Sequence, residues 1–337
     1  MQAVLIAGGL GTRLRPLTFA RPKVLLPLIN RPLVLHVLER LPARVDEVFV
    51  AANYRTEQIR EFFAREDVGR RVEVVREKRR LGTGGCLKNL EDRLSGTFLA
   101  FNADVVSSLA VDDLLAAHRE NGGVGTIALW EVADPTAFGV VALEGDRIRR
   151  FVEKPPKGEA PSNLVNAGAY VFESEILAAI PEGGPASLER DVFPGVLRKG
   201  LFGFRFSGYW SDVGTPENFL RATEILLRER GSEVSHQAHL APTATPVKPL
   251  AVAAGSMLDG RVGPVVAIGR DCTIGKARLS HCVLFDRVTV ADDARIEESL
   301  IGEGCRIGPR SLVQGSVLGD GVAIGADEEV IGKRVRA

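Results

Sequence analysis

A Rossmann-like α/β domain with a mixed sheet, followed by a parallel β-helix, is the fold class that the sequence predicts. Residues 1–228 alternate apolar strand-like runs with amphipathic helix-like runs, the pattern of an α/β domain. From Gly231 this pattern stops, and aliphatic residues then recur at steps of five or six within a longer period of 17. The predicted organisation is a first domain at 1–230, a linker at 231–249 and a β-helix at 250–337.

The first domain begins with the apolar run Ala3 to Ala7, which is typical of a parallel strand buried on both faces. Further strands are predicted at 48–52, 72–75, 98–101 and 125–129, and helices at 32–41, 56–65, 112–120 and 216–230. The last helix has the clearest start signal, with Thr215 as N-cap, Pro216 at the first helical position and Glu217 in the first turn.

The β-helix is predicted from aliphatic residues that repeat 17 positions apart. Three such sets are Leu284, Ile301 and Leu318; Val290, Ile307 and Ile324; and Ile296, Val313 and Val330. One inward aliphatic side chain per face, with glycines at the corners, is the register of hexapeptide repeats. The segment 231–249 before it has no apolar period and is rich in Pro, Ala and Thr, which predicts a linker.

Composition excludes several classes of function. Lys and Arg total 43 and Asp and Glu total 43, so no net charge recruits nucleic acid or an anionic membrane. The four cysteines have no CxxC spacing, which argues against a zinc knuckle and a disulfide framework. No apolar run approaches 18 residues, and no leader-like segment opens the chain. We therefore expect a protein of the reducing cytoplasm.

A glycine-rich loop, Gly8-Gly9-Leu10-Gly11-Thr12-Arg13, follows the first strand. Three glycines in four residues let backbone N–H groups approach a polyphosphate closely. The loop lacks the GxxxxGK[ST] spacing of a P-loop and the GxGxxG spacing of a dinucleotide site. A glycine turn alone is as often structural as functional, so the surrounding residues decide its interpretation.

Those residues resemble a known family. The string from Gly8 to Thr18, followed by Pro22-Lys23 and by Asn30-Arg31-Pro32-Leu33, resembles the signature of the sugar-1-phosphate nucleotidyltransferases. The repeat region resembles the left-handed β-helix that several of these enzymes carry at the C-terminus. The resemblance implies transfer of a nucleotidyl group from an NTP to a sugar 1-phosphate with release of pyrophosphate. The end coils of a β-helix expose backbone edges and apolar faces that need a cap or a partner, so we also expect a homo-oligomer formed through the β-helix.

The resemblance also assigns residues to the nucleotide. It implies catalytic roles for Arg13 and Lys23, which would neutralise and position the triphosphate. The segment Leu81-Gly82-Thr83-Gly84-Gly85 resembles the loop of the family that recognises the base. The implied nucleotide-binding residues are Leu5, Ala7, Gly8, Gly9, Gly11, Thr12, Arg13, Gly82 and Thr83. One departure is Val24, where relatives often have proline.

Sugar and metal residues follow in the same way. Glu153 and Lys154 match the segment that contacts sugar hydroxyls and the sugar phosphate, and Asn166 and Gly168 match the sugar-binding strand. Asp104 and Asp212 match the carboxylates that hold Mg²⁺, a cation that suits carboxylates plus phosphates. Around the first of these, Ala103 replaces the glycine of the family's Asn-Gly-Asp string.

Three segments favour one subgroup of the family. The strings at 81–84, 187–194 and 208–216 look most like those of mannose-1-phosphate guanylyltransferases, which implies GTP and mannose 1-phosphate as substrates. Glucose 1-phosphate with dTTP, UTP or ATP remains an alternative. Two other classes are open, namely an acyltransferase that uses His281, the one histidine within the repeat, and a non-catalytic regulatory subunit.

Overall fold

The computed structural model describes all 337 residues, which pack as two compact units. Unit 1 contains residues 1–9 and 36–210, and unit 2 contains residues 10–35 and 211–337. Both units are discontinuous in sequence. Packing therefore groups residues 10–35 and 211–230 with the C-terminal region. The predicted first domain, by contrast, is the continuous range 1–230.

Unit 1 is built on a nine-stranded mixed sheet in the order β5-β4-β1-β6-β11-β8-β12-β10-β9. Its strands are β1 (Gln2–Ile6), β4 (Glu47–Ala52), β5 (Arg71–Arg76), β6 (Thr97–Asn102), β8 (Gly125–Glu131), β9 (Gly139–Glu144), β10 (Arg147–Glu153), β11 (Leu164–Glu173) and β12 (Leu201–Arg205). Strands β5, β4, β1 and β6 are mutually parallel, and β11 pairs antiparallel with both β6 and β8. The four parallel strands end together, which creates an edge where ligands commonly bind.

The structure contains six α-helices, and the four predicted helices are among them. Two of these four have the predicted first and last residues, and the other two differ from the prediction at their ends. The six helices are α1 (Leu33–Leu38), α2 (Thr56–Arg65), α3 (Gly82–Lys88), α4 (Val111–Asn121), α5 (Phe193–Val196) and α6 (Pro216–Arg230). Helix α1 is shorter than the predicted 32–41. After Leu38 the backbone tightens into turns, in which the Arg40 and Leu41 N–H groups donate to the Val37 and Leu38 carbonyls, and Pro42 then disfavours helical backbone at Leu41. Thr215 caps α6 as predicted, since its hydroxyl accepts a hydrogen bond from the Asn218 N–H at 3.2 Å.

Short elements complete the N-terminal part of the chain. Strands β2 (Pro27–Leu28) and β3 (Arg31–Pro32) form an antiparallel pair, and β7 (Val105–Ser107) and β13 (Trp210–Asp212) are the remaining short strands. Single 3₁₀ turns lie at Thr12–Leu14, Leu17–Phe19 and Lys23–Leu25.

The C-terminal part of unit 2 consists of parallel strands, as expected for a β-helix, and we call residues 233–335 the strand stack. Its strands are β14 (Glu233–Val234), β15 (His239–Leu240), β16 (Thr245–Pro246), β17 (Leu250–Val252), β18 (Met257–Val262), β19 (Val266–Ile268), β20 (Thr273–Ser280), β21 (Cys282–Leu284), β22 (Thr289–Val290), β23 (Arg295–Glu297), β24 (Leu300–Ile301), β25 (Arg306–Ile307), β26 (Leu312–Gln314), β27 (Val317–Leu318), β28 (Ala323–Ile324), β29 (Glu329–Ile331) and β30 (Arg334–Val335). The three predicted sets of aliphatics 17 apart are register partners in these sheets. Their side chains are buried in one apolar core.

The segment 231–249 differs from the linker prediction. Strands β14, β15 and β16 within it pair in parallel with β17 and β18. The segment was predicted as a linker because its residues have no apolar period, and all six residues of these strands are exposed. Residues 233–246 thus form the first coil of the strand stack. Backbone hydrogen bonds hold this coil, and such bonds cannot be recognised from amino-acid composition.

No helix of the structure combines the length and the apolarity that crossing a membrane would require.

Candidate functional site

In unit 1 the glycine loop begins where β1 ends, beside a buried glutamate. The Ala7 N–H donates to the Ala51 carbonyl at 2.8 Å, which fixes the start of the loop against β4. A Cβ placed on Gly8 would lie 3.4 Å from Oε2 of Glu77, whose side chain follows β5 and is 5% exposed. Burial raises the pKa of Glu77, and the Leu81 N–H donates to its Oε2 at 3.3 Å. A carboxylate acceptor therefore lies against the predicted nucleotide loop.

Sequence reasoning missed Glu77. It lies in the charged run Arg76-Glu77-Lys78-Arg79-Arg80, which reads as a solvated surface segment. The available signal was its position directly after a strand that runs parallel to β4 and β1.

The predicted base loop packs on the segment around Ala186. A Cβ on Gly82, which has φ +75°, would come within 2.5 Å of the Ala186 carbonyl oxygen, and the Gly84 N–H donates to that oxygen at 2.8 Å. Thr83 donates its hydroxyl to Glu189 at 2.7 Å and accepts the Leu188 N–H at 2.9 Å. The hydroxyl of Thr83 thus links the loop to residues 188 and 189, and close packing explains the glycines.

The predicted sugar residues lie on β10 and β11 of unit 1. Glu153 ends β10, and burial, reinforced by the charge of Glu189, raises its pKa although Lys154 lies 3.5 Å away. On β11 the amide of Asn166 donates to the Tyr170 hydroxyl at 2.9 Å and accepts the Gly168 N–H at 3.0 Å. The pairing register with β8 shifts between Asn166 and Tyr170, so the strand bulges at these residues.

Asn102, at the end of β6, is a second residue that sequence reasoning did not assign. Its amide nitrogen would lie 2.6 Å from a Cβ on Gly168, and its side-chain oxygen Oδ1 is buried without a hydrogen-bond partner. Since buried polar atoms are nearly always satisfied, an orphaned acceptor beside the bulge marks a place for a donor. Sugar hydroxyl groups are donors of this kind. Asp104 follows two residues later and is partly exposed.

We expect Gly168→Ala to lower stability more than a glycine substitution that only restrains the backbone. Gly168 has φ +74°, which costs alanine about 1–2 kcal/mol, and the new methyl would also collide with the Asn102 amide. Gly158→Ala is the matched control, because its φ is +86° and nothing lies within 4 Å of its Cβ. Thermal unfolding of both variants measures the difference. Equal shifts in melting temperature would show that Asn102 moves aside freely.

In unit 2 two cations face one carboxylate. Lys23 is 6% exposed, and its Nζ lies 3.9 Å from Oδ1 of Asp212; Nη2 of Arg13 lies 3.9 Å from Oδ2 of the same aspartate. Gly214 permits this arrangement, since a Cβ there would lie 2.5 Å from Arg13 Nη2 and 2.8 Å from Asp212 Oδ1. Gly11 has φ +61°, and a Cβ on it would come within 2.8 Å of the Thr18 side chain. Three of the predicted charged residues are thus brought together.

A family profile described as nucleotidyl transferase matches residues 2–229, which is more than half of the chain. The chain belongs to the nucleotidyl transferase family. A second profile, described as the GMPPB C-terminal domain, matches residues 247–336. The predicted family and enzyme class are confirmed.

Relatives with curated names match most of the chain. A mannose-1-phosphate guanylyltransferase of Mycobacterium tuberculosis is 39% identical over 315 residues, covering 88% of this chain and 83% of the relative. The catalytic subunit beta of the enzyme of that name from Danio rerio is 33% identical, covering 91% and 88%. The solved structure of a UDP-glucose pyrophosphorylase bound to UDP-glucose shares the fold of the family, with a TM-score of 0.59 and 21% identity, covering 68% of this chain and 99% of that one.

Proposed function

We propose that this protein transfers the guanylyl group of GTP to mannose 1-phosphate, forming GDP-mannose and pyrophosphate. The full-length relatives of that name support the proposal. The observation that carries the choice of base is the buried carboxylate of Glu77 beside Gly8. Guanine presents two adjacent donors, N1–H and N2–H₂, which a carboxylate accepts together, whereas uracil and thymine present one N–H between two carbonyl acceptors.

The chemistry requires that two polyanions be brought together and their charge neutralised. An oxygen of the sugar phosphate attacks the α-phosphorus in line, and the bond from that phosphorus to the pyrophosphate oxygen breaks. The proposed roles follow the signature. Arg13 and Lys23 neutralise the triphosphate, and its cradle is formed by Leu5, Ala7, Gly8, Gly9, Gly11 and Thr12. Gly82 and Thr83 support the base through the backbone of their loop.

The sugar phosphate is assigned to unit 1. Glu153, Asn166 and Gly168 contact the pyranose in this proposal, and Lys154 holds its phosphate. The bulge in β11 and the orphaned Asn102 oxygen support the assignment, because together they offer acceptors for sugar hydroxyl groups.

Mg²⁺ is the proposed cofactor, with Asp104 and Asp212 as ligands by their match to the family's motifs. The chain holds no cluster of three or more His, Cys, Asp or Glu that would form an all-protein cage. Mg²⁺ commonly uses one or two carboxylates and completes its shell with phosphates and water, so this donor set fits it. When bound, the cation would supply positive charge to the phosphates that react.

Three finer features are proposed with the function. The 17-residue register of the strand stack supports a left-handed β-helix. Exposed Val234 and Leu240 on its first coil and Met257 on the next coil support a homo-oligomer, which light scattering on the whole chain measures. Four free, buried cysteines support a cytoplasmic location.

A substrate panel tests the function directly. Pyrophosphate release is measured for GTP, dTTP, UTP and ATP, each with mannose 1-phosphate and glucose 1-phosphate. We expect turnover to be fastest with GTP and mannose 1-phosphate. Preferred turnover with a pyrimidine triphosphate would overturn the guanylyl assignment and leave the family intact.

Glu77→Gln tests the base contact. We expect KM for GTP to rise about 10- to 100-fold, the effect of losing a bidentate contact of about 1–3 kcal/mol. The exposed Glu66→Gln is the matched control. The native enzyme should also lose affinity for GTP as the pH falls, and at a higher pH than an ordinary glutamate would cause, because burial raises the pKa of Glu77 and protonation removes an acceptor. A KM that changes equally with Glu66→Gln and Glu77→Gln would contradict the contact.

A further inference from the structure

The signature segment between the two phosphate-binding cations is held by the strand stack. We call residues 15–21 the anchored segment; Arg13 precedes it and Lys23 follows it. All of its contacts described below lie within unit 2. They occur along the whole segment, and their partners lie between residues 285 and 336.

Arg21 binds the C-terminal end of the anchored segment to the strand stack. Its guanidinium donates to Oε2 of Glu303 and to Oδ2 of Asp320, both at 2.6 Å. The three side chains are between 21% and 24% exposed, and the guanidinium also lies over the buried ring of Phe285 at 5.4 Å. Charge-assisted hydrogen bonds in partly buried surroundings are stronger and better oriented than surface ion pairs.

The carboxylates of Glu303 and Asp320, which accept the hydrogen bonds of Arg21, make further contacts within the stack. Oδ1 of Asp320 accepts the backbone N–H of Glu303 at 2.9 Å, which ties one coil to the next. Glu303 also pairs with Arg287. The two acceptors of Arg21 are therefore also held by contacts within the regular stack.

At its N-terminal end the anchored segment contacts the last coil. A Cβ on Gly319 would lie 3.1 Å from Cβ of Pro16, so the proline ring packs directly on that glycine. Nη1 of Arg334 donates to the Arg15 carbonyl at 3.5 Å. Two guanidinium groups lie over the ring of Phe19, that of Arg15 at 4.9 Å and that of Arg336 at 4.8 Å.

Because only one residue, a conformationally restricted proline, separates Arg21 from Lys23, fixing Arg21 also restrains the backbone of Lys23. Pro22, with φ −67° and ψ 148°, separates Arg21 from Lys23, and Lys23 then begins a 3₁₀ turn. Lys23 is 6% exposed, so its ammonium group is placed by its backbone and not by free rotation in solvent. A displacement of about 1 Å at a group of this kind can cost roughly 10²-fold in rate.

We propose that Arg21 is a positioning residue for nucleotidyl transfer, which holds Lys23 and Arg13 in place by binding Glu303 and Asp320 of the strand stack. The proposal rests on the role proposed above for Lys23 and Arg13. It makes the C-terminal coils part of the working site, although they touch no substrate in this scheme.

Variants of the whole chain test it. Arg21→Met should lower kcat about 10- to 100-fold and leave KM for GTP within about threefold, because the substrate-binding groups remain while their alignment relaxes. Arg21→Lys should restore most of kcat, since one ammonium still reaches an acceptor. Arg310→Met is the matched control, as Arg310 binds Asp327 at 2.7 Å elsewhere on the stack.

A double-mutant cycle separates positioning from general stability. Glu303→Gln with Asp320→Asn should lower kcat as Arg21→Met does, and combining all three changes should add little, because all three remove the charge pairing between Arg21 and its two carboxylates. Full additivity, or a kcat within twofold of the native enzyme for Arg21→Met, would overturn the proposal. Arg21→Lys and the carboxamide variants keep the test decisive if the methionine variant folds poorly.

Hydrogen exchange on the protein without substrate gives a readout that is independent of the reaction. Amides of residues 12–25 should exchange faster in Arg21→Met, whereas those of the strand stack should keep their native rates. Unchanged exchange in residues 12–25 would overturn the anchor itself. Failure of the native enzyme to use GTP and mannose 1-phosphate would instead contradict the proposed function and leave this measurement standing.

Discussion

Lys23→Met should lower kcat about 10²- to 10³-fold, the loss expected when one preorganised charge is removed from a phosphoryl-transfer site. Methionine keeps an unbranched apolar stem of similar length in a position that is 6% exposed, so the change removes mainly the ammonium group. A compact ammonium charge held in this position can stabilise the negative charge that develops on the phosphates in the transition state. Steady-state pyrophosphate release with saturating substrates measures the effect.

The exposed Lys157→Met provides the control for loss of a lysine outside the signature. Circular dichroism and the melting temperature show whether the Lys23 variant stays folded. If kcat of the Lys23 variant stays within fivefold of the native value while the fold is intact, Lys23 is not the catalytic cation.

Asp212→Asn and Asp104→Asn should each reduce turnover about 10²-fold or more and raise the Mg²⁺ concentration needed for half-maximal activity. Asparagine keeps the shape of aspartate but removes the negative charge that a hard cation requires. In Asp212→Asn the two neighbouring cations, Lys23 and Arg13 at 3.9 Å, also lose their carboxylate. A titration of rate against Mg²⁺ measures both effects.

The exposed Asp92→Asn is the control for charge alone. If either site variant keeps the native rate and the native Mg²⁺ dependence, the aspartate concerned does not bind the metal. Loss of rate without a change in Mg²⁺ dependence would assign it to the alignment of Lys23 and Arg13 instead.

Local sequence patterns predicted the regular elements well. The strand ends at 48–52 and 98–101 moved by a single residue, and α2 and α6 have the predicted bounds. The reason is that apolar periodicity and capping act within a few residues. The 17-residue sets also became register partners, because one repeated period defines both the spacing and the pairing.

Contacts between distant segments were beyond the sequence. Glu77 looked like part of a solvated charged run, and only the alignment of β5 with β4 and β1 places it beside Gly8. The orphaned oxygen of Asn102 depends on the bulge in β11. Arg21 resembled any surface arginine, and its acceptors lie 282 and 299 residues away in the chain.

The anchored segment also has a consequence for the order in which the protein is made. Residues 15–21 are synthesised before Glu303, Asp320 and Arg334, which hold them and follow 282 to 319 residues later. At roughly 5–20 residues per second the segment waits about 15–60 s for these partners. A chain that stops before residue 303 lacks every one of them. The C-terminal coils therefore determine when the anchored segment becomes fixed, since its partners exist only after these coils have been synthesised.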